Sequence, residues 1–428
     1  MVREHNEDAV GWLPPMWAHR YFASQSPESL ASAGAGARKK LCVVVPYYYP
    51  RVGGVENYAL HMVRASCDHG FDTFVITTNY ESKKLLCEEI FGVRVYRLPV
   101  LFRVSNTPIN PLWRRHIRKI LQDERPTVIN GHEPVPYLAD VAERVRCGIP
   151  FILTYHNDLV KRDVLKSTLV RLVNETIVSR TLSRADRIIV TSHYYAERSR
   201  YLRRHLERVR VVPPGVDTLD GVSGPPAIWY QKRFGDSKVL LFVGTLDQSH
   251  SHKGLERLIR ALPFLRCAPV KLVVIGQGDH VAHYQRVCED CGVAERVSFE
   301  GYVDDETLRE FYSFADVIVL PSEDAAEGFG MVLLEAALCG TPAVATNVGG
   351  IPAAVVDGVT GILVPANNQV ALCDALDRVV SDGALRQRLG RQAAERARDF
   401  EWSRVCRDYI RVLAEVTNDD RWCESVER

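Results

Sequence analysis

Residues 316–350 read DVIVLPSEDAAEGFGMVLLEAALCGTPAVATNVGG. DVIVLPS opens on a continuous apolar run of strand length, which suits a strand buried on both faces. A loop follows that holds Glu327, Gly328, Phe329 and Gly330. The pattern turns helical near Met331, and TPAVATN is a second strand that runs out at Gly349 and Gly350. Strand, helix and strand in succession make a βαβ unit, and such units build parallel sheets. Glycines in the loop let backbone approach a ligand closely. The helix start turns free N–H groups and the positive end of its dipole toward the carboxyl edge of the sheet, a place for a diphosphate. Glu335 follows Glu327 about a turn into the helix. There a carboxylate can accept both hydrogen bonds of a vicinal diol such as a ribose.

The same alternation extends outward in both directions. KVLLFVGTL, KLVVIGQG and RVSFEGYV precede the quoted stretch and TGILVP follows it, with helical LERLIRALPFL and DDETLREFYSFA between. Upstream, DGVSGPP (220–226) has the Gly, Pro and Ser of a linker. Before it lies another series: LCVVVP (41–46), FDTFVITT (71–78), PTVINGH (126–132), PFILTYH (150–156) and DRIIVTS (186–192), closed by VRVVPPGVD (209–217). VENYALHMVRASCDHG (55–70) has helical spacing and stops at Gly70. The expected fold class is therefore α/β, with two doubly wound, Rossmann-like parallel-sheet domains facing an interdomain cleft. The expected boundaries are a mobile extension over 1–38, a first domain over 39–217, a linker over 218–228 and a second domain over 229–395. A helical segment over 396–428 is expected to pack back on the first domain. Ligands of such sheets bind beyond the carboxyl ends of the strands.

The chain has 428 residues, 46% of them hydrophobic and 25% charged, which fits two globular domains. A net charge of +1 gives no global steering toward nucleic acid. No apolar run approaches the roughly 20 residues of a membrane span, and the first residues lack the pattern of a secretory signal. Eleven cysteines, an odd number, point to reduced thiols and a cytoplasmic protein. Cys288 and Cys291 form one CxxC, short of the four ligands of a zinc site and read as two ordinary helix cysteines.

A glutamate, seven residues and a second glutamate, with GFG after the first and CGTPAVATNVGG after the second, resembles retaining glycosyltransferase family 4. This is the glycosyl transferases group 1 of the GT-B fold, and the likeness runs over nearly all of residues 40–400. It implies transfer of a sugar from a nucleotide-diphosphate donor to a hydroxyl acceptor with retained anomeric configuration. It also implies that the second domain binds the donor and the first the acceptor. Glu327 would hold hydroxyls of the donor sugar and Glu335 the ribose of the nucleotide.

Four further features join this reading. Gly53 and Gly54 open a helix after strand VVVP, and GGVE resembles the family's N-terminal glycine loop. Lys253 in HKG stands before a helix as a point charge for a phosphate. The family usually adds an arginine directly after the strand's glycine, but Thr245 stands there, and His250, His252 or a backbone donor is expected to compensate in part. His156 ends strand PFILTYH, where the family has a histidine against the reacting sugar; His132 ends the preceding strand in the same way. Tyr48, Asn157, Asp158 and His132 are expected along the acceptor side, and Gly301 to Val303 near the base. Gly328, Phe329, Gly330 and Gly349 complete the donor loops.

No D-x-D triplet and no GxxxxGK[ST] occurs in the sequence, so neither a required metal nor ATP hydrolysis is expected. No cofactor is expected; the nucleotide sugar, with UDP, GDP, ADP or TDP all open, is a co-substrate. The acceptor is left open among a small molecule, a lipid and a polysaccharide. WRRHIRKI (113–120) reads first as a solvated helix face, and such a basic amphipathic helix can also dock on the inner face of a membrane. Two rivals share the architecture: a nucleotide-sugar 2-epimerase and a non-catalytic sugar-nucleotide-binding protein.

Overall fold

The computed structural model describes residues 39–418 apart from 52, 80–81, 105–106, 134, 136, 159–170, 218–227 and 268. The expectations for the extension over 1–38 and for most of the linker fall outside these residues.

Two sheets carry the chain. The first holds β1 (Lys40–Val44), β2 (Asp72–Asn79), β3 (Leu86–Ile90), β4 (Val93–Pro99), β7 (Val128–Glu133), β8 (Phe151–Tyr155), β9 (Arg187–Val190) and β10 (Val209–Val211), while β5 (Phe102–Val104) and β6 (Thr107–Ile109) form a separate hairpin. Its order is β10-β9-β8-β7-β1-β2-β4-β3. The second holds β11 (Lys238–Val243), β12 (Val270–Ile275), β13 (Val297–Gly301), β14 (Val317–Leu320), β15 (Ala343–Thr346) and β16 (Gly361–Val364), in the order β13-β12-β11-β14-β15-β16. Both sheets reverse direction beside their first strand, which opens a crevice at the carboxyl ends.

The central strands are apolar on both faces because helices cover both faces. Leu41 to Val45 and Leu240 to Leu241 are almost fully buried. Expectation and structure differ at one edge. β3 pairs antiparallel with β4, so the first sheet is mixed rather than wholly parallel. The turn between them is Phe91-Gly92, both with positive φ (52° and 78°), a two-residue hairpin of the kind that glycine favours.

The C-terminal helix α8 (Trp402–Thr417) lies in the hydrophobic core of the first sheet with α1 (Gly54–Asp68). Trp402 stacks on His61 at 3.8 Å between ring centroids and 9° between planes. Gly215 makes the crossing possible, because a Cβ there would stand 2.5 Å from the Trp402 ring. Val216 and Trp402 join the two segments through backbone bonds, Val216 N–H to Phe400 O at 2.8 Å and Trp402 N–H to Val216 O at 3.2 Å.

Candidate active site

Two loops of the second domain meet the ends of β8 and β9. Asn157 Nδ2 donates to Ala326 O at 3.0 Å, and Thr191 Oγ1 donates to Gly328 O at 3.1 Å. Tyr194 OH donates to Asn347 Oδ1 at 2.6 Å across the same seam. Gly328 brings the two backbones close: a Cβ on it would lie 3.1 Å from His156 O, a tight contact. Glu327 and His156, far apart in sequence, therefore border one place.

The Glu327 loop is braced from behind. Gly350 N–H donates to Glu327 O at 2.9 Å. Gly349 has φ 54°, and a Cβ on it would stand 2.0 Å from the same carbonyl oxygen. The glycine pair thus serves a close backbone approach to the loop itself. Phe329 points into the core of the second domain and packs edge-on against Phe400. Gly330 is the left-handed cap (φ 83°) of α6 (Met331–Leu338).

Charge at the site centres on Lys253. Its Nζ donates to Glu327 Oε2 at 2.9 Å, and Ser322 Oγ donates to the same oxygen at 3.3 Å. Burial works against the Glu327 charge, but Lys253, His252 and Ser322 together outweigh it and hold the carboxyl below its ordinary range. Lys253 lies at the end of a short 3₁₀ turn over residues 248–253. Gly254 turns the chain there with φ 79°, where a Cβ would meet Pro321 O at 2.1 Å. The His250 ring is tied to Asp247 Oδ1 at 2.6 Å, and His252 is half-buried beside Lys253 with its pKa lowered, chiefly by burial.

Glu335 is half-buried and accepts from Tyr312 OH at 2.6 Å. Burial raises its pKa, Tyr312 and Arg309 pull it down, and the Asp305 and Asp217 carboxylates add to the rise. Val303 is half-buried against the second core just after β13. On the opposite side, Gly53 and Gly54 start α1 at the end of β1, and the space over Gly54 is open for at least 4 Å.

The acceptor side needs correcting. Tyr48 (1% exposed) lies in the core of the first sheet, and His132 (0% exposed) lies behind His156, so neither lines a rim. Apolar strands flank both positions, and the sequence gives no sign of which way each ring turns. Asp158 accepts from Tyr155 OH at 2.9 Å and Ser199 Oγ at 2.7 Å, and Asn157 is engaged with Ala326, so both side chains serve the scaffold. Sequence reasoning missed Tyr58, Thr191, Tyr194 and Tyr312, because none stands in a motif. It also passed over Glu133, which is 1% exposed beside the buried Asp140. Burial first, and then the Asp140 carboxylate, push its pKa well above the ordinary carboxylate range. Every cysteine among the described residues is unpaired. No helix among them is long and apolar enough to cross a membrane.

The chain matches the family Glycosyltransferase Family 4 over residues 52–219 and Glycosyl transferases group 1 over residues 228–396. Phosphatidyl-myo-inositol mannosyltransferase of Mycobacterium leprae is 30% identical over 382 residues, which cover 88% of this chain and 97% of that protein. The chain belongs to glycosyltransferase family 4. Sucrose-phosphate synthase of Thermosynechococcus elongatus superposes with a TM-score of 0.70 at 22% identity, over 89% of this chain and 99% of that one. The Anabaena protein HepE, solved in complex with UDP and glucose, gives 0.66 at 19% identity, over 88% and 100%. The glycosyltransferase thus has the GT-B fold, two Rossmann-like domains about a cleft.

Proposed function

We propose that this glycosyltransferase moves a sugar from a nucleoside diphosphate to an acceptor hydroxyl with retention of anomeric configuration and without a metal. One observation carries the reading: the seam that brings Glu327 of one domain and His156 of the other to the same place. Glu327 holds hydroxyls of the donor sugar, and His156 contacts the sugar from the opposite domain. Lys253 and the first N–H groups of α6 take the charge that grows on the leaving diphosphate. Glu335, held by Tyr312, takes the ribose diol, with Gly349 bracing the loop and Val303 lying toward the base. Gly54 leaves room for the diphosphate or acceptor at the start of α1, while the space over Gly53 is taken by the Glu56 carboxylate, 2.4 Å from where a Cβ would stand. The acceptor oxygen attacks from the face the diphosphate leaves, so no covalent nucleophile is required. Closure of the two domains excludes water and limits donor hydrolysis.

A lipid-borne acceptor at an anionic membrane surface is supported by one region. Leu101, Phe102 and Val104 of the β5–β6 hairpin are about half exposed, and Leu112 is 59% exposed. Helix α2 (Trp113–Glu124) follows with Arg114, Arg115, Arg118 and Lys119 all exposed. Apolar side chains beside basic ones suit an anionic bilayer. Sedimentation with anionic vesicles should fall for Phe102→Ser and for Arg115→Glu; equal binding to neutral vesicles contradicts this surface.

Transfer is tested by donor turnover in EDTA with lipid and glycan acceptors. Proton NMR of the first product should show the donor's own anomeric configuration, with turnover lost in Glu327→Ala. An inverted product, or turnover that stops in EDTA and returns with a divalent cation, would overturn the reading. A sugar nucleotide that changes its stereochemistry with no acceptor present would favour the 2-epimerase instead.

A further inference from the structure

His132 and His156 close adjacent parallel strands and touch one another. His132 Nδ1 stands 3.1 Å from His156 Nε2, with ring centroids 5.3 Å apart. Strand register sets the pair: His132 lies opposite Thr154 in the β7–β8 ladder, and His156 N–H donates to Glu133 O at 3.2 Å. Tyr58 packs against both rings, at 6.1 Å and 5.1 Å between centroids, and its own hydroxyl donates to Val212 O at 3.1 Å. Asn130, two residues before His132, is fixed by Thr154 at 2.8 Å and by Tyr409 of α8 at 3.0 Å. The rings therefore have little freedom to turn.

Burial lowers both basicities, that of His156 to about 4, and the His156 charge lowers that of His132 further. Each ring is neutral at neutral pH and carries one ring proton. A hydrogen bond between them uses one of the two, and two arrangements exist. If His156 Nε2–H donates, the His132 proton must sit on Nε2. That atom is sealed from solvent and has no hydrogen-bond partner. If His132 Nδ1–H donates, only a lone pair is left at that sealed position. Orphaned buried N–H groups are the rarer failure in folded proteins, and the second arrangement contains none. It also obliges His156 to carry its own proton on Nδ1, the ring nitrogen that His132 does not engage.

We propose that His132 is a positioning residue that fixes His156 as its Nδ1–H tautomer, so that His156 offers a neutral N–H to an oxygen of the bound donor sugar. The proposal rests on the reading that His156 contacts that sugar. A hydrogen bond to a ring nitrogen is the usual way the partner nitrogen's role is set. The pair has no charge to neutralise, so the sugar meets a directed dipole and not a cation.

The test is long-range proton–nitrogen NMR on protein labelled with ¹⁵N-histidine, with the His156 signals assigned by their loss in His156→Asn. Wild type should show His156 protonated on Nδ1. His132→Asn keeps an amide donor near the place of Nδ1 and should retain that tautomer. His132→Phe removes the donor; His156 should then revert to Nε2–H. Its kcat should fall about tenfold, the worth of about one neutral hydrogen bond, with donor KM changed less than about twofold. An Nε2–H signal for His156 in wild type overturns the proposal. So does a His132→Phe variant with both tautomer and kcat unchanged. If the phenylalanine variant does not fold, the wild-type and His132→Asn spectra still decide. Unaltered turnover in His156→Asn would instead break the sugar-contact reading while leaving the tautomer result standing.

Discussion

The two walls of the cleft handle polarity in opposite ways. On the C-terminal wall a buried carboxylate is kept charged: Glu327 has Lys253 at 2.9 Å and Ser322 at 3.3 Å. On the N-terminal wall burial disfavours charge: the pKa values of His132 and His156 are both depressed, and that of Glu133 is pushed up. The difference fits the proposed reading, in which the C-terminal wall takes the diphosphate and the N-terminal wall the sugar. A leaving diphosphate gathers charge and needs a cation and dipoles already in place. A sugar ring is neutral and needs directed hydrogen bonds in a dry setting, where an unpaired charge would be costly. One seam, Asn157 to Ala326 and Thr191 to Gly328, sets the two kinds of wall side by side.

The contrast breaks most sharply at the ion pair. Lys253→Ala leaves Glu327 buried without its cation and should destabilise the fold by about 3–5 kcal/mol. Adding Glu327→Gln should recover much of that loss in denaturant melts. Equal instability of the single and double variants would mean that the pair is not coupled. Next in size, Glu327→Gln alone keeps the shape but loses the charge, and turnover should fall on the order of 10²–10³-fold. Donor affinity should change far less, and a loss confined to KM would assign Glu327 to ground-state binding.

The neutral wall makes its own prediction in acid. His156 has a folded pKa of about 4 against about 6.5 when unfolded. Between those values the unfolded chain binds more protons, so stability falls as pH drops from 6.5 toward 4. At pH 5 the His156 contribution to that loss is on the order of 2 kcal/mol. His156→Asn should narrow the difference in melting temperature between pH 7 and pH 5. An unchanged difference would mean that the ring is not held neutral. Smallest, Glu335→Gln keeps a group for Tyr312 but weakens acceptance from a diol, and nucleotide affinity should drop about tenfold.

Much of this was legible in the sequence where pattern and place coincide. Apolar runs ending in Glu327, Gly328 or His156 announce both a strand and what stands at its end. The β3–β4 hairpin was not read, although Phe91-Gly92 with VRVYRL after it carries the signal of a tight turn and an alternating strand. Side-chain direction was the deeper obstacle. β7 is buried on both faces, so its residues show no alternation to tell which of His132 and Glu133 looks into the cleft. Gly349 was readable as a turn at the right edge. Its contact with the Glu327 carbonyl depends on two loops whose approach no spacing reveals.

On the proposed function, the cleft holds a nucleotide-sugar donor between the Lys253–Glu327 pair and Glu335. A thermal-shift panel of UDP, GDP, ADP, TDP and their sugars in EDTA tests it most directly. One nucleotide should raise the melting temperature, by an amount equivalent to about 2.7 kcal/mol at ~100 times its dissociation constant. The shift should shrink in Glu335→Ala and in Lys253→Ala. No shift with any nucleotide, or an equal shift in both variants, would contradict the claim.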